Sequence, residues 1–217
     1  MIRPELILAE SGVDYIGFDL DGTLNSLDSY QVQKAQKFFK RPSSNPECYD
    51  IEDKFDCGHF ARQLFWALNI WKYCLVYPAR EEASDVVHEC ISLKLRPALI
   101  TSRVYVTNGF PLGPLFRGMV PRWLEKQGIP IIRSDIYFCS EKDSAVAKTK
   151  VCKILKPRWM FEDKPDNALM ISQQTDVHVL VPIEAYNKTL KETDRLTIIN
   201  DLQDGLEIIR SERLSVC

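Results

Sequence analysis

The sequence lacks long apolar runs, a marked excess of either charge and any paired-cysteine pattern, and each absence narrows what the chain can be. No stretch of about 18 or more apolar residues occurs, so no segment reads as a membrane-spanning helix. The opening MIRPELILAESGVD breaks its apolar positions with charges and has no signal-peptide core, which makes a cytoplasmic location the expectation. With 28 Lys and Arg against 30 Asp and Glu, the net charge is −2 and the signs are interleaved. That balance supplies no basic face for a nucleic-acid backbone, so such a partner is disfavoured. The cysteines at 48, 57, 74, 90, 139, 152 and 217 are odd in number and form no Cys-x-x-Cys pair, so they read as reduced thiols rather than a disulfide framework. Cys48, Asp50, Cys57 and His59 lack the tight paired spacing of a structural zinc site. Internal repeats and low-complexity tracts are also absent.

What is present is an ordinary folded composition, 45% hydrophobic and 27% charged, over 217 residues. That length supports one main core and a small accessory domain. YIGFDL, at 15–20, is a short apolar run that breaks into DGT, the pattern of a buried strand stopped by a glycine turn. Residues 28–77 differ in character: two stretches with aromatics and aliphatics at helical spacing flank a polar, proline-containing segment, which predicts a small helical insert. From residue 78 on, helix and strand patterns alternate. AREEASDVVHECISLKL reads as a helix and PALITS as a strand; VTNGFPLGPLFRG reads as a loop and MVPRWLEKQG as a helix. IPIIRSDIYFCS supplies strand material, SAVAKTKVCKILK a helix, WMFED a strand, PDNALMISQQT a helix, VHVLVPI a strand, and TIINDLQDGLEIIRSE a final helix. Such alternation predicts an α/β fold, a Rossmann-like parallel sheet with helices on both faces, because parallel strands need crossover connections. The expected division is a core of residues 1–27 and 78–217 with a small helical cap of residues 28–77.

In sheets of this kind, chemistry gathers at the carboxyl ends of the strands. Three predicted strand ends carry polar groups: Asp19 and Asp21, then Thr101 and Ser102, then Glu162 and Asp163. Lys148 lies on the helix before the last pair, with Lys150 and the earlier Lys142 as rivals. Arg103 is left open between a substrate contact and a surface position. For Thr101 and Ser102 the plainer reading is a cap on the next helix; for Glu162 and Asp163 it is an exposed turn paired with Lys164. Four carboxylates, a hydroxyl and an ammonium in one crevice need a cation and an anion between them, since unpaired buried charges are costly. Hard carboxylate oxygens select magnesium, which is commonly shared with a substrate phosphate. An ionised Asp beside the metal can attack phosphorus in line, and a second acid can move the proton.

FDLDGTL at 18–24, LITS at 99–102, Lys148 and FEDKPDNA at 161–168 resemble, in order, the four motifs of the haloacid dehalogenase (HAD) superfamily. The resemblance implies Asp19 as nucleophile, Asp21 as general acid/base and as a magnesium ligand through its backbone carbonyl, and Thr101 with Lys148 as phosphate holders, Ser102 beside them. It also implies Asp163 as a magnesium ligand, with Glu162 a ligand directly or through water. Lys148 is preferred to Lys150 by its spacing to Asp163 in that pattern. FEDKPDNA followed by HVLVPIEAYNK further resembles the 5′(3′)-deoxyribonucleotidase branch and its bacterial nucleotidase-like relatives, which carry a small helical cap in the corresponding place. The activity implied is a magnesium-dependent phosphomonoesterase acting through an aspartyl-phosphate on a small phosphorylated substrate, with nucleoside monophosphates the leading expectation. Sugar phosphates or nucleic-acid 3′ ends are the alternative, and a non-catalytic binding module is the alternative of another class. Phe38, Phe39, Phe60, Phe65, Trp66 and Trp71 in the insert are expected to be core more often than base-stacking surfaces.

Overall fold

The computed structural model describes residues 12–214 except 104 and 110, so most of the opening segment read for a leader lies outside the described residues. Six strands, β1 (Tyr15–Phe18), β2 (Arg96–Thr101), β3 (Ile136–Phe138), β4 (Trp159–Phe161), β5 (His178–Pro182) and β6 (Leu196–Ile199), form one sheet in the order β3-β2-β1-β4-β5-β6. All five pairings are parallel. The chain runs outward from the central β1 through β2 to β3, then returns to place β4 on the other side of β1. The three strands expected to carry chemistry, β2, β1 and β4, are therefore neighbours in the middle of the sheet.

The expected α/β, Rossmann-like parallel sheet with helices on both faces is what the chain forms. Alternation along the strands sorts their side chains between two cores. Ile16, Phe18, Leu99, Trp159 and Phe161 point to one face, where they meet α4 (Ala83–Ser92), α5 (Leu112–Lys126) and α8 (Leu202–Leu214). Tyr15, Ala98, Ile100, Met160 and Val179 point to the other, against α6 (Ser144–Leu155) and α7 (Pro165–Gln174). Phe18 and Phe161 stack across the centre with ring centroids 5.0 Å apart. Residues 27–75 hold α1 (Leu27–Phe39), the single turn α2 (Ile51–Lys54) and α3 (His59–Leu75). Phe65 is fully buried there, with Phe38 and Phe39 packed against its cluster, whereas Phe60 and Trp71 are exposed. The six cysteines among the described residues are free. No helix among them is long and apolar enough to cross a membrane.

Two elements differ from the sequence reading. The segment Leu112–Gly118, read as loop because of its Gly and Pro, is the first half of α5. Pro114 falls in the first turn, where a helix needs no N–H donor from it, so the proline is compatible with helix at that point. The start of TIINDLQDGLEIIRSE is not helix but β6, whose Leu196–Ile199 pairs with Val179–Pro182. Its Thr and Ile residues are β-branched and lie beside a ready partner strand, so pairing decided the outcome. The helix begins only after Asp201, whose carboxylate accepts from the Asp204 N–H at 2.9 Å and so caps α8.

Gly205 lets α8 lie close to the sheet, since a Cβ there would sit 2.4 Å from the Phe161 ring. Gly205→Val is expected to cost about 1–3 kcal/mol by overpacking, a fall in Tm of about 2–4 °C per kcal/mol for a chain of this size. Thermal denaturation checks it; an unchanged or higher Tm contradicts the close approach.

Candidate active site

Asp19 leaves β1 with its N–H bonded to the Phe161 carbonyl at 2.9 Å, which fixes it beside the end of β4. The chain then turns sharply at Gly22, whose φ is +91°. A side chain is excluded there twice over: by that backbone conformation and because a Cβ would lie 2.0 Å from Asp163 Oδ2. Arg80 clasps the turn from outside, donating to the Thr23 and Gly22 carbonyls at 2.9 Å each and pairing with Glu184.

The expected residues converge. Lys148, 1% exposed, bridges Asp19 Oδ2 and Glu162 Oε2 at 2.6 Å each. Lys150 and Lys142 are exposed on the surface, so Lys148 is the lysine the fold brings in. Glu162 is further held by Asn167 Nδ2 at 2.9 Å and by the Lys164 N–H at 3.3 Å. Asp163, buried beside it, accepts from Thr23 Oγ1 at 3.3 Å and from the Tyr186 hydroxyl. Neither acid sits in an exposed turn. Thr101 ends β2 fully buried, and Ser102 accepts from Ser144 Oγ at 3.0 Å. Neither hydroxyl caps the following helix, which starts only at Leu112.

Arg103 is not a surface residue. Buried to 2%, it holds Asp21 with Nη2 at 2.6 Å and Nε at 3.1 Å from both carboxylate oxygens, and its guanidinium lies 5.1 Å from the Tyr73 ring. Tyr73 donates to the same carboxylate at 2.5 Å. Tyr73, Asn167 and Gln31 were not singled out from the sequence. Tyr186 had a signal in the Tyr-Asn segment after β5, and Asn187 beside it donates to the Asp163 carbonyl at 2.9 Å.

Asp19, Asp21, Thr101, Ser102 and Lys148 line one cavity of about 160 Å³, whose other wall comes from Leu27, Gln31, Tyr49, Asp50 and Trp66. Asp19 Oδ1 and Thr101 Oγ1, both buried, have no hydrogen-bond partner among the described residues. Buried polar atoms are normally satisfied, so two orphans on adjacent strand ends mark where a ligand belongs.

Asp19, Glu162 and Asp163 each offer an oxygen within 4.8 Å of the others. Three carboxylates against the single ammonium of Lys148 leave a net charge of −2, while Asp21 is neutralised by Arg103. A divalent cation with a preference for hard oxygen donors fits this set. The proton affinities agree: burial, against the opposing pull of Lys148, pushes the Asp19 carboxyl up to about 7, with Glu162 and Asp21 adding to the rise. Burial and the charges of Glu162 and Asp19 hold Asp163 well above the ordinary carboxylate range. Burial alone would raise Asp21 too, but Arg103, Tyr73 and Asn25 outweigh it and hold that carboxyl low.

No protein-family model matches the chain, and no curated protein matches it. Solved structures do. A predicted phosphatase from Clostridium acetobutylicum aligns at TM-score 0.61 and 11% identity, over 93% of this chain and 100% of that one. A predicted phosphoglycolate phosphatase from Haemophilus somnus gives 0.57 and 13%, over 91% and 98%. A HAD hydrolase from Entamoeba histolytica gives 0.54 and 13%, over 91% and 100%. At these identities the likeness shows the fold: the chain has the α/β fold of the HAD hydrolases.

Asp19 and Asp163 bind protons more tightly folded than unfolded, so their contribution to stability is present below the ordinary carboxylate value of 3.8 and is lost as pH rises through the folded values, about 7 for Asp19. The depressed Asp21 has the opposite sign, but its window lies below that range. In EDTA, Tm is expected to fall from about pH 5.5 to about pH 8, and the stabilisation by added Mg²⁺ to grow over the same interval as the cation takes the place of the protons. A Mg²⁺ shift independent of pH contradicts this assignment.

Proposed function

We propose that the chain is a magnesium-dependent phosphomonoester hydrolase acting through an aspartyl-phosphate on Asp19, with residues 1–27 and 78–217 as the catalytic core and residues 28–77 as a cap over the crevice. The observation that carries the reading is the pair of buried, unpartnered oxygens, Asp19 Oδ1 and Thr101 Oγ1, facing one cavity beside Lys148. Asp19, Asp163 and Glu162, with the Asp21 backbone carbonyl, are the groups that would hold magnesium, and the ion would neutralise phosphoryl charge.

Thr101, Ser102 and the Lys148 ammonium hold the phosphate oxygens. An oxygen of Asp19 bonds to phosphorus as the ester P–O bond breaks, and the leaving oxygen takes a proton from Asp21. Water then attacks phosphorus, gives its proton to Asp21 and releases inorganic phosphate as the Asp19 oxygen–phosphorus bond breaks. Arg103 keeps Asp21 ionised before substrate binds. An incoming phosphate dianion raises the proton affinity of a nearby carboxylate, which supplies the acid form when substrate is bound.

Nucleoside monophosphates are the first class to test, on the resemblance of 161–188 to the nucleotidase branch. The cavity favours a second reading: about 160 Å³ is below the roughly 300 Å³ at which ordinary ligand pockets begin. A sugar phosphate or small phospho-acid suits it as it stands, as the phosphoglycolate phosphatase among the similar folds also suggests. A nucleoside requires α1–α3 to draw back.

Asp19→Asn is expected to lower phosphate release from a generic aryl phosphate in Mg²⁺ by at least about 10³-fold, in line with loss of a covalent nucleophile. Unchanged turnover overturns the mechanism and favours a binding module. A panel of nucleotides, sugar phosphates, phospho-acids and 3′-phosphorylated oligonucleotides, run beside the variant, separates the substrate classes. On the cavity wall, Gln31 is 4% exposed and its Oε1 lacks a partner among the described residues. Gln31→Leu is expected to change KM or kcat for the best substrate by about tenfold, the worth of one buried hydrogen bond, while leaving the aryl phosphate rate within about twofold. Equal losses on both substrates contradict a leaving-group contact.

A further inference from the structure

Helix α3 has two faces, and among the described residues only one has a partner. Tyr73 and Trp66 turn toward the crevice, while Phe60, Leu64, Leu68 and Trp71 lie outside, 77%, 43%, 60% and 45% exposed. They recur at spacings of four, four and three, so they form one stripe along the helix. Leu112 and Leu115 of α5, also exposed, widen it beside the Trp71–Phe116 ring contact. The uncovered apolar area is on the order of 600 Å², at the upper limit for the largest patch of a monomer. Doubled across a two-fold axis, it reaches the roughly 1,200 Å² at which specific interfaces begin.

We propose that this face binds a second copy of the chain, α3 crossing α3 in antiparallel fashion about an axis between Ala67 and Leu68. The face is self-complementary in that register. Leu64 lies opposite the second copy's Trp71, Phe60 opposite its Leu75, and the small Ala67 lets the helices approach at the centre. Gln63 and Lys72, both exposed, flank the stripe on opposite sides of the helix. Helix α3 carries no acidic residue, so no like-charged acids meet at the axis. A lipid surface fits less well, because adsorption to anionic membranes relies on a cluster of basic residues and this stripe offers only Lys72. The inference does not depend on the phosphatase reading, and its test needs no substrate.

Sedimentation equilibrium of the full chain from about 0.1 to 100 μM is expected to show a monomer–dimer equilibrium. Leu68→Arg, on an exposed position, is expected to be monomeric throughout with an unchanged circular dichroism spectrum. The register has its own test: Ala67→Cys, beside the axis, should form an intermolecular disulfide on oxidation, and Gln63→Cys, about 14 Å along the helices from its counterpart, should not. A wild-type monomer at every concentration overturns the proposal, as does binding to anionic phospholipid vesicles that Leu68→Arg abolishes in such a monomer. A dimer unaffected by Leu68→Arg places the interface elsewhere and also overturns it. Cross-linking of Gln63→Cys but not of Ala67→Cys overturns the register.

Discussion

The buried Lys148 ammonium, held 2.6 Å from both Asp19 and Glu162, is the interaction on which the crevice depends. Three carboxylates cannot share a dry space without opposite charge, and removing one partner of a buried ion pair typically costs several kcal/mol. Lys148 supplies that charge from α6, reaching from the helix packed on the sheet to the carboxyl ends of its central strands. Asn167 and the Lys164 N–H orient Glu162 so that its second oxygen meets the lysine. The remaining negative charge is what suits the site to a divalent cation in the proposed reading, and the unpartnered oxygens of Asp19 and Thr101 are where that reading puts an anion.

Much of this was legible in the sequence because it rests on local patterns. A short apolar strand ending in an acid, hydroxyls after the next strand and an acid pair after WMF each declare a strand end. Parallel topology then brings such ends together. Lys148 over Lys150 came from the resemblance, and burial agrees with it. The missed elements share a cause. Residues 196–199 and 112–118 are both segments whose local composition pointed one way and whose neighbours decided the other: β5 offered Leu196–Ile199 a pairing edge, and the face of α5 against the core holds Val120 and Trp123 at positions that a helix started at Leu112 continues.

Arg103, Tyr73 and Gln31 were illegible for a different reason. Nothing in one dimension distinguishes a buried Arg whose guanidinium meets an acid 82 positions earlier from one in solvent. The same holds for Tyr73, one aromatic among many in α3, which reaches Asp21 only because α3 lies over the strand ends. Chemistry confined to a turn announces itself; chemistry assembled between a core and an insert does not.

Arg80 adds a mechanical consequence. It sits just past α3, on the strand of chain that leads out of the helical insert, yet its guanidinium grips the carbonyls of Gly22 and Thr23. The outgoing linker is thereby riveted to the Gly22–Thr23 turn. A displacement of the three helices that kept these bonds would fall on the incoming chain after Asn25 and on residues 76–79, so the insert is tethered to the strand end from one side, and the loop that carries Tyr49 lies at the mouth of the crevice.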